Sequence, residues 1–416
     1  MSERETVAKW LSEKGEGVIE SGHGLVRLPD LLPGERVRSR SDGRGWTHER
    51  LSDSAERVAP GCAVFGTCGG CTVRHASAAL QGATREDLVR RALKRSLGDA
   101  SVRYLPAPSR DRWRVRARMQ WSRDGAAVRL GFFERASHAV VDLPGCPVLT
   151  PMLEDALPAL RRGLGAIARR GEVALAQGRG GPVVCVFPES QPDAQGYLAA
   201  EALCAQGFVG VALRPPGAQG SVWGDPRPVV RGGDGEDLVT GVDGFSQSND
   251  GVNALLSAEV LSQLGVAGKD VFEFHAGAGN FTVALARVAR RVTALESDAD
   301  AVAALRENLA ARGLTNVTVR HESDEAVRGP VKADAALLDP PRTGARGVAE
   351  MLARHPVRAV VYVSCDPATL ARDLEVLGGA YAVRAVAALE MFPHTLHVET
   401  VVRLERRGGA VLRSRG

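Results

Sequence analysis

The stretch FEFHAGAGNFTVALA, residues 272–286, decides the fold of the C-terminal part of this chain. Its apolar start reads as a strand that runs into Gly277-Ala278-Gly279, and a helix is expected to open at Asn280. Glycines at such a turn leave room for a ligand to lie against the backbone at the helix start. Glu296 follows at the tip of the next expected strand, where it can accept hydrogen bonds from both hydroxyls of a ribose. A dinucleotide fingerprint would continue to a third small residue, but Thr282 stands there. An acidic ledge also offers nothing to a pyrophosphate, so a nucleoside without phosphates fits better. S-adenosylmethionine is such a ligand, although a lone GxG pattern is weak support for it.

Outward from this stretch the pattern is regular. DVFEF, RRVTALE, NVTVR, ADAALLD, VRAVVYVS and YAVRAVAALE read as strands, and most are separated by helix-like segments. Strands alternating with helices imply an α/β fold, a Rossmann-like doubly wound parallel sheet whose ligand site lies at the carboxyl ends of the strands. In LLDPPRTGA, Asp339 closes the fourth strand and Pro340-Pro341 stiffens the chain as it leaves the sheet. Enzymes that methylate amino groups of nucleic acids carry an aromatic residue after a similar Asp/Asn-Pro-Pro. Arg342 stands there instead and argues against that chemistry.

The segment VVYVSCDPATLARDL puts Cys365 at the end of the next strand, just before a helix, where a lowered thiol pKa is expected. A thiolate suits one demanding reaction. C5 of uracil is a poor nucleophile, and thiolate addition at C6 turns the ring into an enolate whose C5 can attack a methylsulfonium. The C5 proton must then be removed so that the thiolate can leave. A base is therefore needed near the thiol, and EMFPHTLHVETVVRLE offers Glu399, with His394 and His397 expected close by.

The segments GFSQSND, FEFHAGAGNF, LLDPPRTG, YVSCDPATLARDL and MFPHTLHVET, in this order, resemble the RNA uracil-C5 methyltransferase family, whose members make 5-methyluridine in ribosomal or transfer RNA. Residues 15–37 look like a shortened form of that family's N-terminal TRAM barrel. The resemblance implies that Cys365 is the nucleophile and Glu399 the base. It also implies that Gln247, His275, Asn280, Glu296 and Asp339 bind the cofactor, with His275 stacking on the adenosine. The chain departs from the family at Glu273, usually Asp, and at His275-Ala276, usually an aromatic-Cys pair. Ser323, Asp366 and His394 replace Asn, Asn and Gln of the family pattern.

Three cysteines, Cys62, Cys68 and Cys71, sit in one loop, and Cys146 in LPGCPVLTP is a fourth candidate. Four thiolates can hold zinc or an iron-sulfur cluster, and spacing alone does not decide between them. The pattern resembles the 4Fe-4S site of the ribosomal branch of the family. Cys185 and Cys204 lie in apolar runs and are expected in the core.

Composition fits this reading. With 44% hydrophobic residues and a near balance of charge, the chain is a globular protein of two to three domains, and disorder or a disulfide scaffold is excluded. No stretch approaches the roughly 18 uninterrupted apolar residues of a membrane span and the start MSERETVAKW is charged, so a cytoplasmic protein without membrane contact is expected; a monomer is expected as well. Residues 85–120 carry eleven Lys/Arg against four acids, a stripe suited to a polyanion. The expected organisation is a TRAM-like, OB-like β-barrel at 1–58, a mixed α+β iron-sulfur domain at 59–244 and a methyltransferase domain at 245–416. The basic helix after the cysteine cluster is a segment that can pack on the last of these. The first two parts would grip RNA, a 23S rRNA stem-loop by the resemblance, and Phe245 is a candidate for stacking on a flipped base. The competing readings are a non-catalytic RNA-binding or ribosome-assembly factor, a transfer-RNA uridine methyltransferase, and a methyltransferase acting on a base nitrogen.

Overall fold

The computed structural model of the chain describes residues 3–22, 24–41, 43, 45–327 and 329–408. Two compact units are present. The first comprises Met1–Arg85, Ser109–Pro226 and Phe392–His397, and the second Glu86–Pro108, Arg227–Met391 and Val398–Gly416. The second unit therefore takes up the chain ahead of residue 245 and draws Glu86–Pro108, including part of the basic helix, out of the expected 59–244 region.

The first unit begins with six short strands: β1 (Glu3–Val7), β2 (Trp10–Leu11), β3 (Gly17–Ser21), β4 (Gly24–Leu28), β5 (Arg36–Ser41) and β6 (Trp46–Arg50). Among the described residues they form two antiparallel three-stranded sheets, β1-β5-β6 and β2-β3-β4, in place of one closed barrel sheet. Ala8, Ile19, Leu28, Leu31 and Val37 make their shared core. A Cβ on Gly17 would stand 2.6 Å from the Leu31 carbonyl oxygen, so only glycine lets β3 pass there. Buried Glu35 fastens the following loop by accepting from the Leu32 amide at 2.8 Å, the Ser54 amide at 3.2 Å and Arg57.

The helix α1 (Ala78–Leu93) begins in this unit, and β7 (Val102–Leu105) follows in the second. The rest of the first unit is a seven-stranded sheet in the order β10-β9-β8-β11-β12-β13-β14. Its strands are β8 (Arg116–Asp124), β9 (Ala127–Phe133), β10 (Val140–Asp142), β11 (Arg170–Gly178), β12 (Gly181–Pro188), β13 (Gly210–Leu213) and β14 (Ser221–Gly224), with helices α2 (Pro151–Ile167) and α3 (Ala194–Ala205). Strict alternation along β8 buries Met119 and Trp121 against Leu157, Leu160 and Leu164 of α2. Cys185 is buried in β12, while Cys204 on α3 is only partly covered.

In the second unit a small hairpin, β15 (Val229–Arg231) and β16 (Asp237–Val239), precedes α4 (Asp250–Leu264). The elements then alternate: β17 (Asp270–Phe274), α5 (Asn280–Ala286), β18 (Arg291–Glu296), α6 (Ala299–Ala311), β19 (Val317–His321), β20 (Ala335–Leu338), α7 (Arg346–Arg354), β21 (Ala359–Ser364), α8 (Pro367–Leu377), β22 (Tyr381–Leu389) and β23 (Glu399–Arg406). They build one sheet in the order β19-β18-β17-β20-β21-β23-β22-β7. The first five strands of that order are parallel, which brings the ends of β17, β18, β20 and β21 to one edge, as expected for the doubly wound α/β fold. The strand β23 runs antiparallel to β21, with Thr400 opposite Ser364, so the start of β23 lies beside the end of β21. Among the described residues no helix is long and apolar enough to cross a membrane.

Candidate active site

The turn after β17 is built from residues with positive φ: His275 at 58°, Gly277 at 57° and Gly279 at 97°. A Cβ on Gly279 would meet Leu305 Cδ1 of α6 at 2.5 Å, while one on Gly277 would meet nothing within 4 Å. Packing thus demands the second glycine, and the first faces open space where a ligand can approach. The Gly277 amide donates to Glu296 Oε2 at 2.8 Å, and Glu296 Oε1 accepts from the amides of Ser297 and Asp298. His275 Nε2 stands 3.7 Å from Asp324 Oδ2 and has no hydrogen-bond partner. Burial holds the His275 imidazole below its usual pKa, against the opposing charges of Asp324 and Glu296.

The Asn280 amide is spent within the protein. It donates to Asn253 Oδ1 at 2.9 Å and accepts from Asn253 Nδ2 at 2.8 Å, which ties the start of α5 to α4. Gln247 is buried two residues before Asn249, the α4 cap whose side chain accepts from the Val252 amide. Glu273, at the position where the family carries Asp, is also buried and accepts from the Thr282 hydroxyl at 2.7 Å. Burial, with Asp339 and Glu296 adding to it, pushes its carboxyl up to about 8.

Cys365 follows β21, and α8 starts immediately after it for a local reason. Asp366 caps the helix by accepting from the amides of Ala368 and Thr369 at 2.9 and 2.8 Å, and Pro367 occupies the first helical position. The thiol stands in the field of Glu399 at the start of β23 and of Asp339 and Arg342 after β20. Here the expectation of a lowered thiol pKa fails. Burial and the negative charge of Glu399 and Asp339 outweigh Arg342 and push the thiol up to about 11. Burial raises Asp339 to about 7, and it raises buried Glu399 well above the usual carboxylate range, with Asp339 adding to the rise. At about 7 Asp339 is partly protonated near neutrality, and a cationic ligand beside it would favour its ionised form.

Arg342 acts on Cys365 by charge and by a hydrogen bond, and its charge acts on Glu399 as well. No local pattern signals that role, since the loop brings it there. Residues 392–397 belong to the first unit, where His394 faces Asp111 (Nε2 to Oδ1 3.4 Å) and its carbonyl accepts from the amides of Thr72 and Val73. The His397 ring meets Phe392 edge-on with centroids 6.0 Å apart. Phe245 is 75% exposed, free to meet a partner.

In the first unit, Cys62, Cys68, Cys71 and Cys146 line one cavity together with Arg74 and Arg114. All four are free thiols. Burial, with the charge of Cys146 adding to it, pushes the Cys71 thiol up to about 12. Arg114 stacks over Trp113 with its guanidinium carbon 4.9 Å from the ring centre. Among the described residues no three or more His, Cys, Asp or Glu are gathered as a group that could hold a metal ion.

The sequence profile of the family described as tRNA (Uracil-5-)-methyltransferase matches residues 240–330 and 330–407. The chain is 35% identical over 409 residues to the 23S rRNA (uracil(1939)-C(5))-methyltransferase RlmD of Klebsiella pneumoniae, covering 94% of this chain and 93% of that protein. It is 36% identical over 408 residues to the RlmD of Enterobacter sp. (strain 638), covering 93% of both. The crystal structure of Pyrococcus abyssi tRNA (uracil-54, C5)-methyltransferase in complex with S-adenosyl-L-homocysteine shares the fold, with a TM-score of 0.75 and 24% identity over 96% of this chain and 100% of that one. With relatives of this identity along nearly its whole length, the chain belongs to the RNA uracil-C5 methyltransferase family.

Proposed function

We propose that this chain transfers a methyl group from S-adenosylmethionine to C5 of a uridine in 23S rRNA, through a covalent adduct between Cys365 and C6 of the base. The convergence of Cys365, Glu399, Asp339 and Arg342 where β20 and β21 end and β23 begins carries this reading. The cofactor supplies an electrophilic methyl on a cationic sulfur. Glu296, aimed by three backbone amides, would accept from the ribose hydroxyls, and His275 would lie along the adenosine. Gln247 and Asp339 would complete the cofactor contacts, with the start of α5 at Asn280 closing the turn.

Chemistry by this chain's residues begins with loss of the Cys365 proton. The thiolate adds to C6, and the electron pair this releases at C5 forms the bond to the methyl group as the methyl–sulfur bond of the donor breaks, its pair staying on sulfur. Glu399, once ionised, removes the C5 proton, and the electron pair of that C–H bond re-forms the C5–C6 double bond as the C6–S bond breaks. Arg342 opposes the negative charge of both the thiolate and the carboxylate. Phe245 would stack on the extruded base.

The four cysteines of the first unit would hold a 4Fe-4S cluster. Their placement around one cavity supports this, as do the two arginines beside them, whose charge offsets that of thiolates. Methyl transfer has no redox step, so such a cluster would serve folding or RNA positioning. The small sheets of residues 3–50 and the Arg-rich stripe would grip the RNA in the cytoplasm.

The test uses RNA containing 5-fluorouridine. Fluorine cannot leave as a proton does, so a denaturation-resistant protein-RNA adduct that needs both Cys365 and S-adenosylmethionine is the expected result. Absence of an adduct on RNA that binds would remove the thiol from the mechanism and favour a binding factor or nitrogen methylation. Comparison of 23S rRNA with transfer RNA as substrate decides between the two RNA classes.

A further inference from the structure

Two elements flank the thiol, β21 before it and α8 after it, and both reach the loop that carries Arg342. Tyr362 on β21 donates its hydroxyl hydrogen to Asp373 Oδ2 on α8 at 2.7 Å, and neither side chain is exposed. The Ala345 amide donates to the same Oδ2 at 2.8 Å and lies 3.1 Å from the Tyr362 oxygen. Asp373 Oδ1 accepts from Arg372 Nε and Nη2 at 2.9 and 2.7 Å, and Arg372 Nη2 also donates to the Thr343 carbonyl at 2.9 Å. The turn at 343–345 is therefore held at both ends by α8. Gly344, with φ 76°, passes so close that a Cβ would stand 2.5 Å from Asp373 Oδ2 and from Arg372 Nη2. This node is centred on the buried pair Tyr362 and Asp373. It fixes the backbone one residue after Arg342.

We infer that Asp373 is a positioning residue: through Tyr362 and Arg372 it holds the 343–345 turn, and with it the Arg342 guanidinium, against the Cys365 thiol. This deepens the reading of Cys365 as nucleophile and rests on it. The charged groups facing the thiol are Glu399 from β23 and Asp339 and Arg342 from the loop after β20. Among these groups Arg342 favours the thiolate while Glu399 and Asp339 oppose it, so displacing Arg342 leaves the opposing pair.

The experiment is alkylation of Cys365 by iodoacetamide across pH, followed by peptide-resolved mass spectrometry on the full chain. The variants are D373N, Y362F, R342A and the double variant D373N/R342A. Below the thiol's midpoint the rate follows the thiolate fraction, and D373N is expected to lower it about tenfold, the effect of one pKa unit. Y362F should lower it in the same direction by less. The sign is informative, because Asp373 acting only as a remote negative charge would give a faster rate once neutralised. In the R342A background D373N should change nothing further, since the two act through one path. An unchanged or faster rate in D373N and Y362F, or full additivity with R342A, would overturn the inference. If D373N does not fold, Y362F alone decides. Methylation that persists in C365A would sink the nucleophile reading, and the alkylation result would still judge Asp373.

Discussion

The backbone amide of Gly277 donates to Glu296 Oε2 at 2.8 Å, so the glycine turn after β17 and the acid at the end of β18 form one hydrogen-bonded unit. The acid is aimed before any ligand arrives. E296Q replaces one acceptor oxygen by a donor and leaves an amide of this unit without its partner. S-adenosylmethionine should then bind at least about tenfold more weakly, the equivalent of ~1.4 kcal/mol, measured by calorimetry. An unchanged affinity would reduce Glu296 to a shaper of the turn.

The two halves of the proposed reaction separate by mutation. C365A should abolish both methylation and the 5-fluorouridine adduct. In E399Q the C5 proton has no acceptor, so an adduct on ordinary uridine RNA should accumulate while turnover falls by about 10²–10⁴. Denaturing gels read the adduct, and tritium transfer reads turnover. Loss of turnover in E399Q without any adduct would place Glu399 before the addition step.

Asp339 links cofactor binding to pH. Burial raises its carboxyl to about 7, so near neutrality it is partly protonated in the free protein. A cation beside it favours the charged form, and binding of S-adenosylmethionine should therefore release protons. Affinity should rise with pH through about 7 and level off above it. Calorimetry in buffers of different ionisation enthalpy measures the release, which D339N should remove.

Asp234 anchors the loop between β15 and β16 to the helices of the second unit. Burial raises its carboxyl, but hydrogen bonds from Arg312 and Arg287 and from the Glu236 amide win and hold it at about 2, below the usual 3.8. Because the folded value is the lower one, this stability is present above about 3.8 and is lost as pH falls through about 2. D234N should cost about 2 kcal/mol at pH 7, seen as a lower urea midpoint, and the loss should vanish in strong acid.

Replacing Cys71 by Ser should remove iron and the visible absorbance of an anaerobically purified protein. Folding or RNA affinity should suffer more than the chemical step measured on saturating RNA. Wild-type protein that carries zinc in place of iron would redirect the cluster reading.

Much of the second unit was legible in the sequence. Strands and helices between residues 270 and 390 lie where periodicity placed them, because of strong apolar patterns and local helix-start signals such as Gly279, Asp298 and the Asp366-Pro367 cap. Arg342 escaped because a loop side chain has no periodic signature, and its partner Cys365 lies on a different strand.

The sequence by itself determined the alternating α/β pattern, the glycine turn, the thiol at the end of β21 and the family, since these are local patterns of apolar period, backbone freedom and ordered motifs. Only the tertiary structure decided the ionisation of the site and the company of the thiol. The antiparallel entry of β23 brings Glu399 beside Cys365, and burial then outweighs the helix start and raises a thiol that local position alone would have lowered.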